Sequence, residues 1–407
     1  YSIDDVDRVM KWGFGWELGP FELWDAIGAR EVLAGLEDAS GQPATAAATA
    51  PLVAEALASG RNRFRDDGLA PAGADLEILK SAKDQKRVVR QNAGASLIDL
   101  GDGVLALEFH SKMNAIGPDT LQMMRAATNE ATTNFAALVI GNDAPDFSAG
   151  ANLMLLLLEA QEGNWDDIDS MIRAFQDSNQ ALRAAAVPVV SAAAGRTLGG
   201  GCEITLHAHR VQAATESYIG LVEVGVGLIP GGGGTKEMLA RAVSDLPSPD
   251  ADLLPFVQRV FETIGFAKVS TSAAEAKELH YLGEADRVTM NRERLMADAK
   301  AHALELVDEG PRRLLPRDVT VGGESTLAAL KLGVHLAWRA GRISDHDLTV
   351  GRSLATVLAG GSLPHRTMVS EQYLLDLERE AFLSLCGQAK TLERIQYTLK
   401  TGKALRN

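Results

Sequence analysis

Two clusters of glycine, Gly199-Gly200-Gly201 and Gly231-Gly232-Gly233-Gly234, each accompanied by a glutamate, constrain this chain more than any other feature. Glu203 follows the first within a turn, and Glu223 shortly precedes the second. Glycine has no Cβ, so a bound molecule can lie directly against the main chain here. A helix opening at such a cluster leaves its first amides unpaired and aimed at negative charge. Two acids flanking bare backbone suit a reaction in which charge grows on a carbonyl oxygen while protons move nearby.

The surrounding pattern predicts an α/β domain over about residues 96–310. Runs 97–100 and 104–109 flank Gly101-Asp102-Gly103, the signature of a hairpin. Pro118 opens a helix to about Phe135, 137–140 reads as a short buried strand, and helices follow from about Ala151 and between Asp166 and Ala186. Strand character returns at 188–191, just ahead of the glycine triplet. Repeated strand, strand, helix units indicate an α/β fold rather than a bundle. Ser272-Ala273-Ala274-Glu275 has capping-box form and starts a helix expected to stop at Gly283.

Residues 1–68 read as helical, with Ser2 as N-cap, an acidic first turn, and Val6, Val9 and Met10 at helical spacing. A second helix is expected from about Glu22 to Gly28. Segment 41–50 is a low-complexity connector, 66–73 a loop, and 69–95 a linker with a basic run at 80–90. Residues 311–407 look mostly helical, with Ser370 as an N-cap and Leu374, Leu377, Ala381 and Leu385 on one face. That face is too apolar to stand alone, so the α/β domain or another subunit is its expected partner.

Composition closes off several functions. The 40 basic and 54 acidic residues leave a net charge of −14, the wrong sign for nucleic-acid binding. Cys202 and Cys386 form no metal or disulfide spacing, which suits a reducing cytoplasm. The apolar run 153–158 falls far short of the roughly 20 residues of a membrane span. The opening YSIDDVDRVMKWG has neither initiator Met nor signal pattern, which predicts a fragment of a longer polypeptide. Residues 101–106 formally fit GxGxxA, but they lie between two strands and are rejected as a dinucleotide fingerprint. The second glycine cluster lacks the Gly-Lys-Ser/Thr order of a P-loop. His207 and His209 have no third ligand, so no metal is expected, and Cys202 has no evident base.

Taken with Phe147-Ser148-Ala149-Gly150-Ala151-Asn152-Leu153, the clusters Gly199-Gly200-Gly201-Cys202-Glu203 and Glu223 with Ile229-Pro230-Gly231-Gly232-Gly233-Gly234-Thr235 resemble the enoyl-CoA hydratase (crotonase) family in order and spacing. The segment WGFGWELGPFELWDAIG resembles the closing helical repeat of 3-hydroxyacyl-CoA dehydrogenases. Dehydrogenase first and hydratase last is similar to one class of bacterial bifunctional β-oxidation proteins. The resemblance implies a crotonase-like ββα-repeat spiral core at 96–310, between a helical dehydrogenase remnant at 1–68 and a helical region at 311–407.

It further implies an oxyanion hole from the N–H groups of Ala151 and Gly200, with Glu203 and Glu223 as the acid–base pair. Contacts to coenzyme A or the acyl group fall to Lys112, Met113, Ala149, Asn152, Leu153 and Val222. Asn152 stands where many members have Asp, and Val222 where many have Pro. The implied reaction is hydration of a trans-2-enoyl-CoA without metal or redox cofactor. NAD would belong to an upstream dehydrogenase domain that this chain lacks. Isomerases of the family manage with the second acid alone, and an inactive acyl-CoA binding or assembly module is a further alternative. A homo-oligomer, or contact with the missing dehydrogenase domain and a thiolase, is implied as assembly.

Overall fold

The computed structural model describes residues 2–40, 51–65, 76–244, 246–248, 250–310 and 316–407; the expected connector 41–50 and loop 66–73 lie outside them. The chain divides into two compact units, Tyr1–Ser81 and Ala82–Asn407.

The first unit holds α1 (Ile3–Phe14), α2 (Pro20–Ile27), α3 (Ala29–Ser40) and α4 (Pro51–Ala58). Ser2 caps α1 through a reciprocal pair of bonds with Asp5, and Gly15 ends the helix in the left-handed region. Helix α2 begins at Pro20, two residues earlier than expected, because proline lacks the N–H that a first helical position would leave unpaired. The valines of α1 do not pack as their spacing suggests: Val6 is 40% exposed and Val9 59%. Asp7 faces inward instead, accepting bonds from Phe21 N (2.7 Å) and Glu22 N (3.1 Å), and so caps α2. Leaving those amides and that carboxylate unpaired would cost more than exposing two small apolar side chains. Arg65 then gathers Asp4, Asp7 and Asp25 around one guanidinium.

The boundary falls inside α5 (Ile78–Asp84), after which come β1 (Val88–Gln91), β2 (Ala95–Asp99) and β3 (Val104–Phe109). The stretch read as a linker therefore contains a helix and a strand. Next are α6 (Pro118–Asn134), β4 (Ala137–Gly141), α7 (Leu153–Glu162), α8 (Trp165–Arg183), β5 (Val189–Leu198), α9 (Gly200–His207) and β6 (Arg210–Gly220). They are followed by α10 (Gly234–Ser244), α11 (Leu254–Gly265), α12 (Ala273–Glu278), β7 (Arg287–Thr289) and α13 (Leu295–Asp308). The C-terminal region comprises β8 (Asp318–Val321), α14 (Gly323–Arg339), α15 (Asp345–Ala359), β9 (Thr367–Ser370), α16 (Glu371–Cys386) and α17 (Ala389–Thr401).

Strands β1 to β7 form one sheet in chain order, antiparallel over β1–β2–β3 and parallel from β3 onward. The hairpin turn sits where expected, with Asp102 at φ 56°. Strand β5 runs well past Ser191. Its first residues pair with β4, the register shifts between Ala193 and Gly195, and its far end bridges Ser148 through Thr197. Alanine, glycine and arginine are weak strand formers, so pairing along β6 rather than propensity extends it. Helix α12 stops at Glu278, short of Gly283, because Tyr281 and Leu282 turn inward and are buried.

Helices α6 and α13 pack against the sheet. A larger apolar core joins α7 to α12 with the C-terminal helices through Leu228, Ile229, Val257, Leu354, Leu374 and Ile395. The C-terminal region thus shares a core with the sheet domain, and it includes the antiparallel pair β8–β9. Ser370 caps α16 as expected. The buried face is rotated, however: Leu377 and Ala381 are only partly buried, while Glu378 is wholly enclosed between Leu374 and Leu385. Among the described residues no helix is long and apolar enough to cross a membrane.

Candidate active site

Strand β5 ends at Leu198; Gly199, whose backbone (φ 54°, ψ −123°) is one that residues with a Cβ rarely adopt, follows, and α9 starts immediately after it. Gly200 is therefore the first helical residue, and its N–H has no partner within the helix. The second amide comes from the loop before α7. Ile116 donates to Gly150 O (2.9 Å) and accepts from Asn152 N (3.0 Å), the pattern of a parallel bridge opposite Ala151. In that register the N–H of Ala151 itself points away from the bridge. Neither Ala151 N nor Gly200 N donates a hydrogen bond among the described residues. The two loops touch at Gly150 (φ 97°), where a Cβ would stand 3.0 Å from Leu198 O and 3.4 Å from Gly200 N.

Glu203, in the first turn of α9, is 2% exposed, and its Oε1 accepts from Gly232 N and Gly234 N, each at 2.8 Å. Burial pushes its carboxyl up to about 7 despite those two bonds. Glu223 opens the 3-10 turn after β6 and lies over the first cluster: a Cβ on Gly199 would stand 3.3 Å from its Oε1. Its Oε2 is buried without a partner. Burial, and then the charge of Glu203, raise it well above the carboxylate range. Both acids thus border the glycine backbone, and each feels the other.

Other predicted positions are dispersed around this centre. Lys112 and Met113 are exposed in a 3-10 turn, and Ala149 N donates to Met113 O (3.2 Å), tying the two loops together. Ser148 Oγ reinforces the tie by donating to Asn114 O (2.7 Å) and accepting from Gly150 N (3.1 Å). Asn152 is exposed and caps α7 by accepting from Leu155 N, a role that Asp fills equally well. Leu153 is half-buried against the large core; in the apolar run after it Leu156 and Leu157 are buried but Leu158 is 48% exposed. Val222 is half-buried and precedes the turn of Glu223. The Cys202 thiol is fully enclosed and raised well above its ordinary value by burial. His207 is held by Glu203 O and Lys236 Nζ, His209 by Val189 N and Arg183 O, and the described residues contain no metal-binding group.

One residue escaped the sequence reading. Glu378 of α16, wholly buried, accepts from Gly233 N (2.6 Å) and Lys236 N (3.1 Å). A signal existed: a glutamate four residues after Leu374 and four before Phe382, on an apolar stripe, is an acid placed where only a partner could retain it.

Residues 99–246, which carry both glutamates and both amides, match the family described as "Enoyl-CoA hydratase/isomerase". Residues 1–66 match the C-terminal domain of 3-hydroxyacyl-CoA dehydrogenase. Across its whole length the chain is 45% identical to a Bacillus subtilis (strain 168) protein named "Probable 3-hydroxyacyl-CoA dehydrogenase", of which it covers 52%. Over 149 residues, 35% of this chain and 20% of the relative, it is 31% identical to the "Fatty acid oxidation complex subunit alpha" of Shewanella loihica (strain ATCC BAA-1088 / PV-4). A solved structure named "putative enoyl-CoA hydratase", from Streptomyces avermitilis, covers 77% of this chain and 93% of its own at a TM-score of 0.50 and 18% identity, a likeness of fold. The chain spans about half the length of the first curated relatives it matches.

Proposed function

We propose that this hydratase/isomerase domain adds water reversibly across the double bond of a trans-2-enoyl-CoA, giving the 3-hydroxyacyl-CoA. The observation that carries the reading is the pairing of two buried carboxyls of raised proton affinity with two amides that have no partner inside the fold. Hydration moves a hydroxyl to C3 and a proton to C2, so one group must accept a proton from water while another gives one to carbon. Glu203, near 7, is suited to accept, and Glu223, whose proton affinity burial and the charge of Glu203 raise well above the carboxylate range, is suited to give. The N–H groups of Ala151 and Gly200 would receive the thioester oxygen as it gains enolate charge. Donors of this kind act mainly in the transition state, each contributing about 2.7–4 kcal/mol. Lys112, Met113, Ala149, Asn152, Leu153 and Val222 would contact the coenzyme A thioester. Such hydration requires neither metal nor redox cofactor; NAD would serve the dehydrogenase chemistry to which residues 1–66 are related. Assembly with further copies, a dehydrogenase domain or a thiolase belongs to the same proposal.

The deciding experiment is turnover of crotonyl-CoA by Glu203→Gln and Glu223→Gln. Both bonds to Glu203 end on one oxygen, so a glutamine carbonyl can keep them and the fold should survive. Rates orders of magnitude below wild type are expected; near-normal turnover by either variant would remove the assignment. One observation favours a second reading. Glu203 Oε1 is saturated by two amides whereas Glu223 Oε2 is unpartnered, which suits an isomerase relying on Glu223 alone. Product analysis from a 3-enoyl-CoA separates the two.

A further inference from the structure

We propose that Glu378, on the C-terminal helix α16, is a positioning residue for Glu203 and Glu223: it clamps the turn that holds Glu203 and adds a third acid to the same buried space. The inference rests on the acid–base reading above. Successive amides of one turn alternate between two carboxylates, Gly232 N to Glu203, Gly233 N to Glu378 and Gly234 N back to Glu203. Removing either acid leaves a buried amide with no partner on that side. The carbonyls of Gly231 and Gly232 are taken by Gln176 and Asn179 of α8, so the turn is held through its carbonyls as well as its amides. A segment of the fold some 175 positions after Glu203 therefore decides how that glutamate is oriented.

The same geometry bears on charge. No Lys or Arg side chain forms an ion pair with Glu203, Glu223 or Glu378 among the described residues. The ammonium of Lys236 is turned to Glu237 (3.1 Å), Glu371 (3.6 Å) and His207 Nε2 (3.1 Å). The charge of Lys236 favours ionisation of Glu203 and Glu378, but burial outweighs it, so three neighbouring carboxyls with no contact ion pair retain protons among them near neutral pH. Burial, then the charge of Glu203, lift Glu378 itself to about 8.

The test compares the pH dependence of kcat and kcat/KM for wild type, Glu378→Gln and Glu378→Asp with crotonyl-CoA. Loss of the third acid in the glutamine variant should let Glu223 ionise earlier, moving the upper limb of the profile down by roughly one pH unit. Glu378→Asp keeps the charge but withdraws it by one methylene; its limbs should stay in place while kcat drops by roughly tenfold or more. A glutamine variant with unmoved limbs overturns the proposal, as does an aspartate variant with wild-type kcat; the latter decides alone if the former fails to fold. If wild type itself does not turn over enoyl-CoA, the acid–base reading has failed separately. The Glu223 carboxyl, which the charge of Glu378 raises, still reports on Glu378 when assigned in 13C-Glu-labelled protein by the signal lost in Glu223→Gln. Identical titration in wild type and Glu378→Gln overturns the inference, and a downward shift supports it.

Discussion

Each unit of this chain gathers three acids, and the two clusters are built on opposite principles. In the first unit Asp4, Asp7 and Asp25 surround the guanidinium of Arg65. Burial works against that cation, but its bonds to the three aspartates outweigh burial and raise its proton affinity. In the second unit Glu203, Glu223 and Glu378 surround glycine backbone; backbone amides bond Glu203 and Glu378, and Glu223 Oε2 has no partner. Acids with a cation at their centre are satisfied and inert. Acids held by neutral donors keep an affinity for protons near neutral pH, which a proton-transfer site needs.

The largest test of this contrast is catalytic. Glu203→Gln and Glu223→Gln should each lower crotonyl-CoA turnover by roughly 10²–10⁴-fold with unchanged circular dichroism. Asp7→Ala should leave turnover at the wild-type rate, and a fall of similar size there would erase the distinction between the clusters. The next effect is on stability against pH. Glu203 binds its proton with an affinity near 7 in the folded protein against an ordinary 4.5. The folded state then holds more protons across that interval, so this residue's contribution makes stability fall as pH rises from about 4.5 to about 7. Glu203→Gln should abolish that contribution, on the order of 2–3 kcal/mol, in the difference between urea midpoints at pH 5 and pH 8.

Asp7→Ala should destabilise the first unit by about 2 kcal/mol, since it removes the cap of α2 and one partner of Arg65 together. Hydrogen exchange should show faster amides at Phe21 and Glu22, which lose their acceptor. Smallest are the two serine caps. Ser2→Ala and Ser370→Ala should each cost about 1 kcal/mol by thermal or urea unfolding. Only Ser370→Ala, at the start of the helix that carries Glu378, should also reduce turnover.

The parts that could be read without coordinates are those in which a few neighbouring residues determine the backbone. Asp102 between two glycines makes a tight turn, and Ser2 and Ser370 bond amides three residues on. The parts misread were decided by distant partners. Val6 and Val9 have helical spacing, but α1 turns Asp7 inward because Phe21 and Glu22 need an acceptor. Strand β5 looked short because its second half is held by β6 rather than by its own composition.

The linear order of residues was enough to establish that two glutamates flank two glycine clusters, and that those clusters open onto a helix start and a turn. Local stereochemistry dictates this, since only glycine accommodates the backbone at Gly199 and Gly150. Only the folded chain decided that Ala151 N and Gly200 N lack partners, that Glu223 lies over Gly199, and that Glu378 closes the turn from the far end of the polypeptide. Hydrogen-bond satisfaction and burial are properties of surroundings assembled from remote segments, and spacing along a chain does not encode which segments those are.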